Sequence, residues 1–202
     1  MADLYDHARP SYPVALVDDV VEYAAAGGAR SDRAVEVGAG TGKATALFAA
    51  RGLNVLAIEP SAEMAQIARR NFAGYANVTI EQTEFERWRP PEHEYRLLFS
   101  GQAWHWIAPD VRYVATRSGE EDWASEIAGT SGFGAAEVRR YPWHSEYTTA
   151  EYLDLLSTHS ACLILEPPER DGLLSDIGAT IDAHGGSFRM HYVTLLCLAR
   201  AT

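Results

Sequence analysis

The residues Ala34–Thr45 read AVEVGAGTGKAT, with glycines at 38, 40 and 42. A short β-rich run ends in a tight turn, and a helix begins directly after it. A glycine at such a turn leaves no Cβ to keep a ligand off the backbone. The helix that follows offers free N–H groups at its start. This is a nucleotide cradle in general form, formed by Gly38, Gly40, Thr41 and Gly42. Glu59, at the end of the next apolar run, lies about 20 residues beyond the first glycine, where an acid accepts hydrogen bonds from ribose hydroxyls. That feature alone serves dinucleotides equally well. Glu36 is the discriminating residue. A carboxylate two positions before Gly38 disfavours a pyrophosphate by like-charge repulsion and suits a cationic ligand. The GxGxG spacing likewise departs from the GxGxxG of dinucleotide folds.

A second constellation is FSGQAWHWIAPD, residues 99–110. It follows a short apolar run, and so falls at the carboxyl end of the sheet, where open α/β sheets place ligands. Trp104 and Trp106 can wall an apolar pocket and face a cation with their rings. His105 has the proton affinity of a general base. A base, a pocket wall and a packed structural histidine all remain open for it. Near the start, YDHARPSYP holds Tyr5, Arg9 and Tyr12, an unusual concentration for a tail.

The elements that must position these groups alternate in type. Val14 to Ala26 has apolar residues at helical spacing and stops at Gly27-Gly28. RAVEVG is a strand, and Lys43 to Ala50 a helix closed by Gly52. NVLAIEP is a second strand stopped by Pro60. Ser61 is the expected N-cap of a helix to about Ala73, with Glu63 in its first turn. NVTIEQ and YRLLFSG are a third and fourth strand. Strands alternating with helices imply βαβ units and a parallel sheet, an α/β fold. In the second half, AAEVRRYPWHSEY reads as a long strand. Thr149 to Ser157 reads as a helix, and Pro167 opens another that runs to about His184. SFRMHYVTLLCLAR is a terminal strand expected to finish the sheet with an antiparallel, hairpin-like edge.

Composition narrows the partners. A chain of 202 residues is long enough for one domain with a sizeable core. Its formal net charge of -11 disfavours nucleic acid as a partner. Cys162 and Cys197 stand apart among apolar residues, and no Cys/His cluster proposes a metal site. No apolar run reaches membrane-spanning length, and MADLYDHARPSYP lacks the regions of a signal peptide. A cytoplasmic enzyme acting on a small molecule, as a monomer or homodimer, is the expectation.

Taken together, VEVGAGTGKAT, IEPS and LLFSGQAWHWI resemble the class I S-adenosylmethionine-dependent methyltransferases. The resemblance runs from Tyr5 to about Pro109 and resumes more weakly from Trp123. More narrowly, YDxxRPxYP at the start looks like the small-molecule methyltransferases of the type 11 and trans-aconitate-methyltransferase-like group. The resemblance implies a Rossmann-like sheet flanked by helices, with a C-terminal antiparallel strand and a helical lid at about 148–184. S-adenosylmethionine would be the cofactor and S-adenosylhomocysteine the product. Glu36 and the glycines would face the amino-acid and ribose portions, and Glu59 the ribose hydroxyls. Pro60 and Met64 would flank the adenine, which Thr83, Glu84 and Phe85 would close over. Gln102 and Ala103 would line the methionine arm. Residues 1–13 would cover the site, with Arg9 reaching the cofactor carboxylate and Tyr5 or Tyr12 against the methyl group. Tyr12, Trp104, His105 and Trp106 would meet the acceptor. Trp143, His144, Tyr147, Tyr152 and His159 are candidates for the lid's inner wall. The rivals are a nicotinamide-dependent oxidoreductase and a non-catalytic S-adenosylmethionine-binding protein.

One departure is large. The family carries a central fifth strand, and no apolar β-rich run lies between Ile107 and Glu137. Removing a central strand leaves unpaired edges. A segment on the order of 50 residues is therefore expected to be missing around Tyr113 to Arg117, judged by the usual length of such domains.

Overall fold

The computed structural model describes residues 2–28, 31–90, 95–104, 107, 127, 129 and 132–202. The Tyr113–Arg117 neighbourhood lies outside the described residues. Contacts gather the chain into two compact units. One comprises Tyr12–Tyr141 and Thr194–Thr202, the other Met1–Ser11 and Pro142–Val193.

The first unit is built on a parallel sheet. Strands β1 (Arg33–Val37), β2 (Asn54–Ile58), β3 (Val78–Glu81) and β4 (Leu97–Phe99) lie in the order β3-β2-β1-β4. Val35 is opposite Leu56 on one side and Leu98 on the other. The short strands of the sequence carry apolar residues on both faces because both are covered, as parallel sheets require. On one face, Ala34 and Val55 pack with Leu16, Val17 and Val20 of helix α2 (Val14–Ala26) and Phe48 of α3 (Lys43–Ala49). On the other, Val35, Val37 and Ile58 pack with Ile107, joined by Phe85, Trp88 and Trp104. Helix α4 (Ala62–Asn71) follows β2, and Ser61 caps it by accepting from the Met64 N–H, as expected of an N-cap serine.

Two long strands, β5 (Glu137–Thr148) and β6 (Ser187–Leu198), pair with each other. Glu146 meets Arg189, Trp143 stacks on Tyr192, and Tyr147 meets Phe188, so the strands run antiparallel. The antiparallel terminal strand is as expected, and its partner is β5. Among the described residues the ribbon is a separate two-stranded sheet. Its end within the first unit still shares the core there. Tyr141, Leu196 and Leu198 pack in the cluster that holds Ala34, Leu97 and Phe99. Tyr141 also donates to Asp19 of α2. Strand β4 has β1 as its one strand partner among the described residues, and Leu98 stands 47% exposed. A leucine in the middle of a strand with that exposure marks an edge position.

The second unit starts with helix α1 (Ala2–Ala8), in a segment the sequence marked only as a cover. Helices α5 (Thr149–Ser157), α6 (Ser160–Leu163) and α7 (Pro167–Ala183) join the two long strands. Thr148 and Glu151 form a reciprocal capping box that starts α5 where the strand ends. Prolines at the first two positions start α7, where no intrahelical N–H is needed.

Candidate cofactor and acceptor site

The glycine loop is held from both sides. The N–H groups of Gly38 and Ala39 both donate to the Ile58 carbonyl, at 2.9 and 3.0 Å, which ties the loop to the end of β2. At Gly38 a Cβ would collide with the Ala103 side chain, and its φ of 69° also favours glycine. The close approach joins the loop after β1 to the loop after β4. At Gly40, with φ of 58°, a Cβ would meet nothing within 4 Å. That open side is the surface a ligand can lie against.

Glu59 sits at the centre of this arrangement, 6% exposed. Its Oε2 accepts the Gly40 N–H at 2.7 Å, and its Oε1 accepts the Ser61 N–H at 2.8 Å. One carboxylate therefore fastens the glycine loop to the start of α4. Each oxygen keeps a further lone pair, the capacity that a pair of ribose hydroxyls needs. The Thr41 hydroxyl is buried without a hydrogen-bond partner among the described residues, while its backbone carbonyl accepts from Asn71. A buried, unspent hydroxyl on a glycine loop has capacity left for a polar ligand. With the open Gly40 and the spare capacity of Glu59, the donor and acceptor set fits a nucleoside.

Glu36 is placed differently from the expectation. Its side chain is fully buried, and Oε2 accepts from the Thr45 hydroxyl at 2.5 Å. Burial pushes its carboxyl up to about 8. The Thr45 hydrogen bond draws it down, and the nearby Glu59 charge raises it further. Near neutral pH it holds its proton most of the time. The strong standing negative field expected at the loop is thus weak until a cation arrives. Thr45 was not singled out from the sequence. The available signal was a hydroxyl in the first turn of α3, nine residues after a carboxylate on the preceding strand.

The remaining positions are distributed around the loops of the sheet. Pro60 is exposed, and Met64 lies half-buried in the first turn of α4. Thr83, Glu84 and Phe85 follow β3; Glu84 pairs with Arg87 on the surface, while Phe85 turns inward to Trp88 and Trp104. Gln102 has φ of 58°, the one positive value at a non-glycine among the described residues. This conformation is uncommon outside glycine and recurs at ligand loops. The Tyr12 hydroxyl lies so close to Gly101 that a Cβ there would strike it. The Ser100 hydroxyl, which the sequence did not single out, donates to the Val37 carbonyl at 2.9 Å and joins the ends of β4 and β1. Ser100→Ala is expected to cost about 1 kcal/mol, the usual net worth of such a bond, read as a lower urea midpoint. His105 and Trp106 lie outside the described residues. Tyr5 and Arg9 belong to the second unit, where the Arg9 guanidinium stacks over the Tyr5 ring at 5.1 Å and binds Thr158. Among the described residues no group of three or more His, Cys, Asp or Glu could hold a metal ion. No helix among them is long and apolar enough to cross a membrane.

A parallel sheet with a glycine loop after β1 and an acid after β2 defines a nucleotide-binding α/β domain. Residues 34–118 match the methyltransferase domain family. An uncharacterized methyltransferase of Mycobacterium bovis is 25% identical over 213 positions, covering 89% of this chain and 83% of its own. An uncharacterized methyltransferase of Mycobacterium tuberculosis matches with the same identity and coverage. The match spans more positions than the chain has residues, so these relatives carry residues within it that this chain lacks. Among solved structures, one assigned as a type II methyltransferase from Anaeromyxobacter dehalogenans has the same fold, with a TM-score of 0.67 and 20% identity. That match covers 96% of this chain and 97% of the other. A Haemonchus contortus phosphoethanolamine N-methyltransferase, in complex with phosphomonomethylethanolamine and S-adenosylhomocysteine, shares the fold at TM-score 0.55 and 13% identity. There the match covers all of this chain and 57% of the other. Residues 34–118 thus carry the likeness of a methyltransferase domain, and the chain shares its fold with solved methyltransferases.

Proposed function

We propose that the protein transfers the methyl group of S-adenosylmethionine to a small-molecule acceptor, as do enzymes of the narrower group its N-terminal motif resembles. The observation that carries the reading is Glu59, which joins the glycine loop to α4 and keeps lone pairs for ribose hydroxyls. The sulfonium supplies an already activated methyl group, so the protein's work is alignment and exclusion of water. The backbone at Gly38 and Gly40 takes the nucleoside side of the cofactor, and the Thr41 hydroxyl is available to it. Pro60 and Met64 flank the adenine, which Thr83, Glu84 and Phe85 close over. Gln102 and Ala103 line the methionine arm beside Glu36. Tyr12, Trp104, His105 and Trp106 form the acceptor side, with His105 as the base if the nucleophile carries a proton. An O, N or C nucleophile fits this scheme. The net charge of -11 favours a small molecule over nucleic acid as the acceptor. The same composition supports a cytoplasmic enzyme.

Thermal shift separates this reading from its rivals. S-adenosylhomocysteine is expected to raise the melting temperature, by mass action on the folded state, and NAD to leave it unchanged. Stabilisation by NAD alone would overturn the choice. A panel of phenols, carboxylates and indoles, with S-adenosylhomocysteine release as the readout, then distinguishes an enzyme from a non-catalytic binder.

A further inference from the structure

The stretch of the β5–β6 ribbon within Pro142–Val193 carries two histidines that face each other. Its register follows from the contacts along it. Glu146 lies opposite Arg189, Trp143 opposite Tyr192, and Tyr147 opposite Phe188. His144 is therefore directly opposite His191, and their ring centroids stand 6.0 Å apart. Thr149 donates its N–H to the Gly186 carbonyl at 3.1 Å, which fixes the phase of the ladder. Alternation from this bond makes Tyr147, Ser145 and Trp143 the hydrogen-bonded positions, so His144 and His191 form a non-hydrogen-bonded pair. The side chains of such a pair stand closest together. Pro142 fits the same phase. It has no N–H to donate, and at a non-hydrogen-bonded position none is asked of it by the partner strand.

Both rings lie on the exposed face of the ribbon. Trp143, Tyr147 and Tyr192 are turned inward, while His144, Glu146, Arg189 and His191 are exposed. On one side of the histidine pair is the Glu146–Arg189 ion pair, whose charges offset each other. On the other side are Pro142 and Val193, which carry no charge. Neither neighbouring row therefore adds a net positive charge that would repel a metal ion. Imidazole nitrogen suits zinc, copper and nickel among the divalent ions. A zinc–nitrogen bond is about 2.0–2.1 Å, so two imidazoles on a tetrahedral zinc have centroids about 5 Å apart. The observed pair reaches that separation by closing about 1 Å, which rotation of two exposed side chains supplies. No third His, Cys, Asp or Glu completes a cluster with them among the described residues, so water fills the remaining positions.

We propose that His144 and His191 form a two-histidine chelate for a divalent first-row transition-metal ion, with zinc and copper as the ions of best fit. The two strands hold both rings before the metal arrives. Once one imidazole has bound, the second binds at the high effective concentration of a tethered group. The metal joins β5 to β6, and so stabilises the folded ribbon by mass action. The two histidines are far apart in the chain, and no ligand spacing displays them.

Isothermal titration of the full chain with zinc chloride, in a buffer that does not chelate the metal, tests this. Wild type is expected to bind one zinc ion more tightly than any further ones. His144→Asn and His191→Asn should each weaken that binding by about tenfold or more, the loss of the chelate. The double variant should lie close to the single ones, because one imidazole alone has no chelate left to lose. His184→Asn, at a histidine whose Nδ1 is engaged with the Thr180 carbonyl, should leave zinc affinity unchanged. Unchanged affinity in either single variant of the pair would overturn the proposal, as would an equal loss in His184→Asn. Losses that simply add in the double variant would show two independent sites and overturn it too. Circular dichroism checks that the variants fold. Copper(II) bound to wild type gives a measurement that needs no substitution. Its electron paramagnetic resonance spectrum is expected to show coupling to two imidazole nitrogens, and coupling to one alone overturns the chelate.

Discussion

Glu59→Ala is expected to lose S-adenosylhomocysteine affinity by about a hundredfold or more, and to lower the stability of the free protein as well. Two losses coincide in this one residue. Its carboxylate accepts the backbone N–H groups of Gly40 and Ser61, at 2.7 and 2.8 Å. Hydrogen bonds to a charged acceptor are worth about 1.5–3 kcal/mol each, at the lower end where water can replace the lost partner. A fall of about 2–4 kcal/mol in unfolding free energy follows for the free protein. Cofactor binding suffers further, because the ribose acceptors go and the glycine loop is freed from the start of α4. Glu59→Gln separates the two roles. One oxygen remains, but the amide nitrogen is a donor and must face one of the two N–H groups. An intermediate loss of both quantities is expected. Urea unfolding without ligand and titration with S-adenosylhomocysteine provide the two readouts. Unchanged urea stability in Glu59→Ala would show that the carboxylate does not hold the loop. Unchanged affinity would remove Glu59 from the cofactor site.

The sheet and most helices were legible in the sequence because their signals are local. Val14–Ala26 shows a helical apolar period and a glycine stop, and the helix has those bounds. Ser61 stands where an N-cap is needed, and its side chain accepts the Met64 N–H. The pairing of β5 with β6 apart from the main sheet was not legible. Alternating apolar residues in EVRRYPWHSEYT mark a strand without naming its neighbour. That depends on what lies beside β4, whose Leu98 is exposed. Helix α1 was missed because ADLYDHA makes only two turns, too few for a period to show. In the site, spacing located the acidic residues but not their surroundings. Glu36 looked like a carboxylate displayed at a loop. Its burial depends on α3 closing over it, with Thr45 in the first turn supplying the hydroxyl. Arg9 and Thr158 are 149 positions apart, and no local pattern could join them.

The buried state of Glu36 makes both stability and cofactor affinity pH-dependent, with opposite signs. Its carboxyl is pushed from an ordinary 4.5 up to about 8, chiefly by burial. Between these values the folded state binds more protons at this residue than the unfolded state does. Stability from this group is therefore full below the unfolded value and declines as pH rises toward the folded one. Over the whole window the loss is on the order of 5 kcal/mol. Glu36→Gln keeps an oxygen to accept from Thr45 and cannot ionise. Its melting temperature is expected to match wild type near pH 5 and to exceed it by on the order of 10 °C at pH 9. A gap that does not change with pH, or a variant less stable than wild type at pH 9, would show that Glu36 does not titrate in this way. Cofactor binding runs the other way. The ammonium of the cofactor, placed beside Glu36, favours the ionised carboxylate, so loading releases a proton. Affinity of wild type for S-adenosylhomocysteine should then rise as pH climbs toward 8, with proton release visible as a dependence of the binding heat on the buffer. In Glu36→Gln the affinity should be lower at pH 8 and free of proton release. Equal proton release in the variant would assign the linkage to another group and leave Glu36 a structural carboxyl.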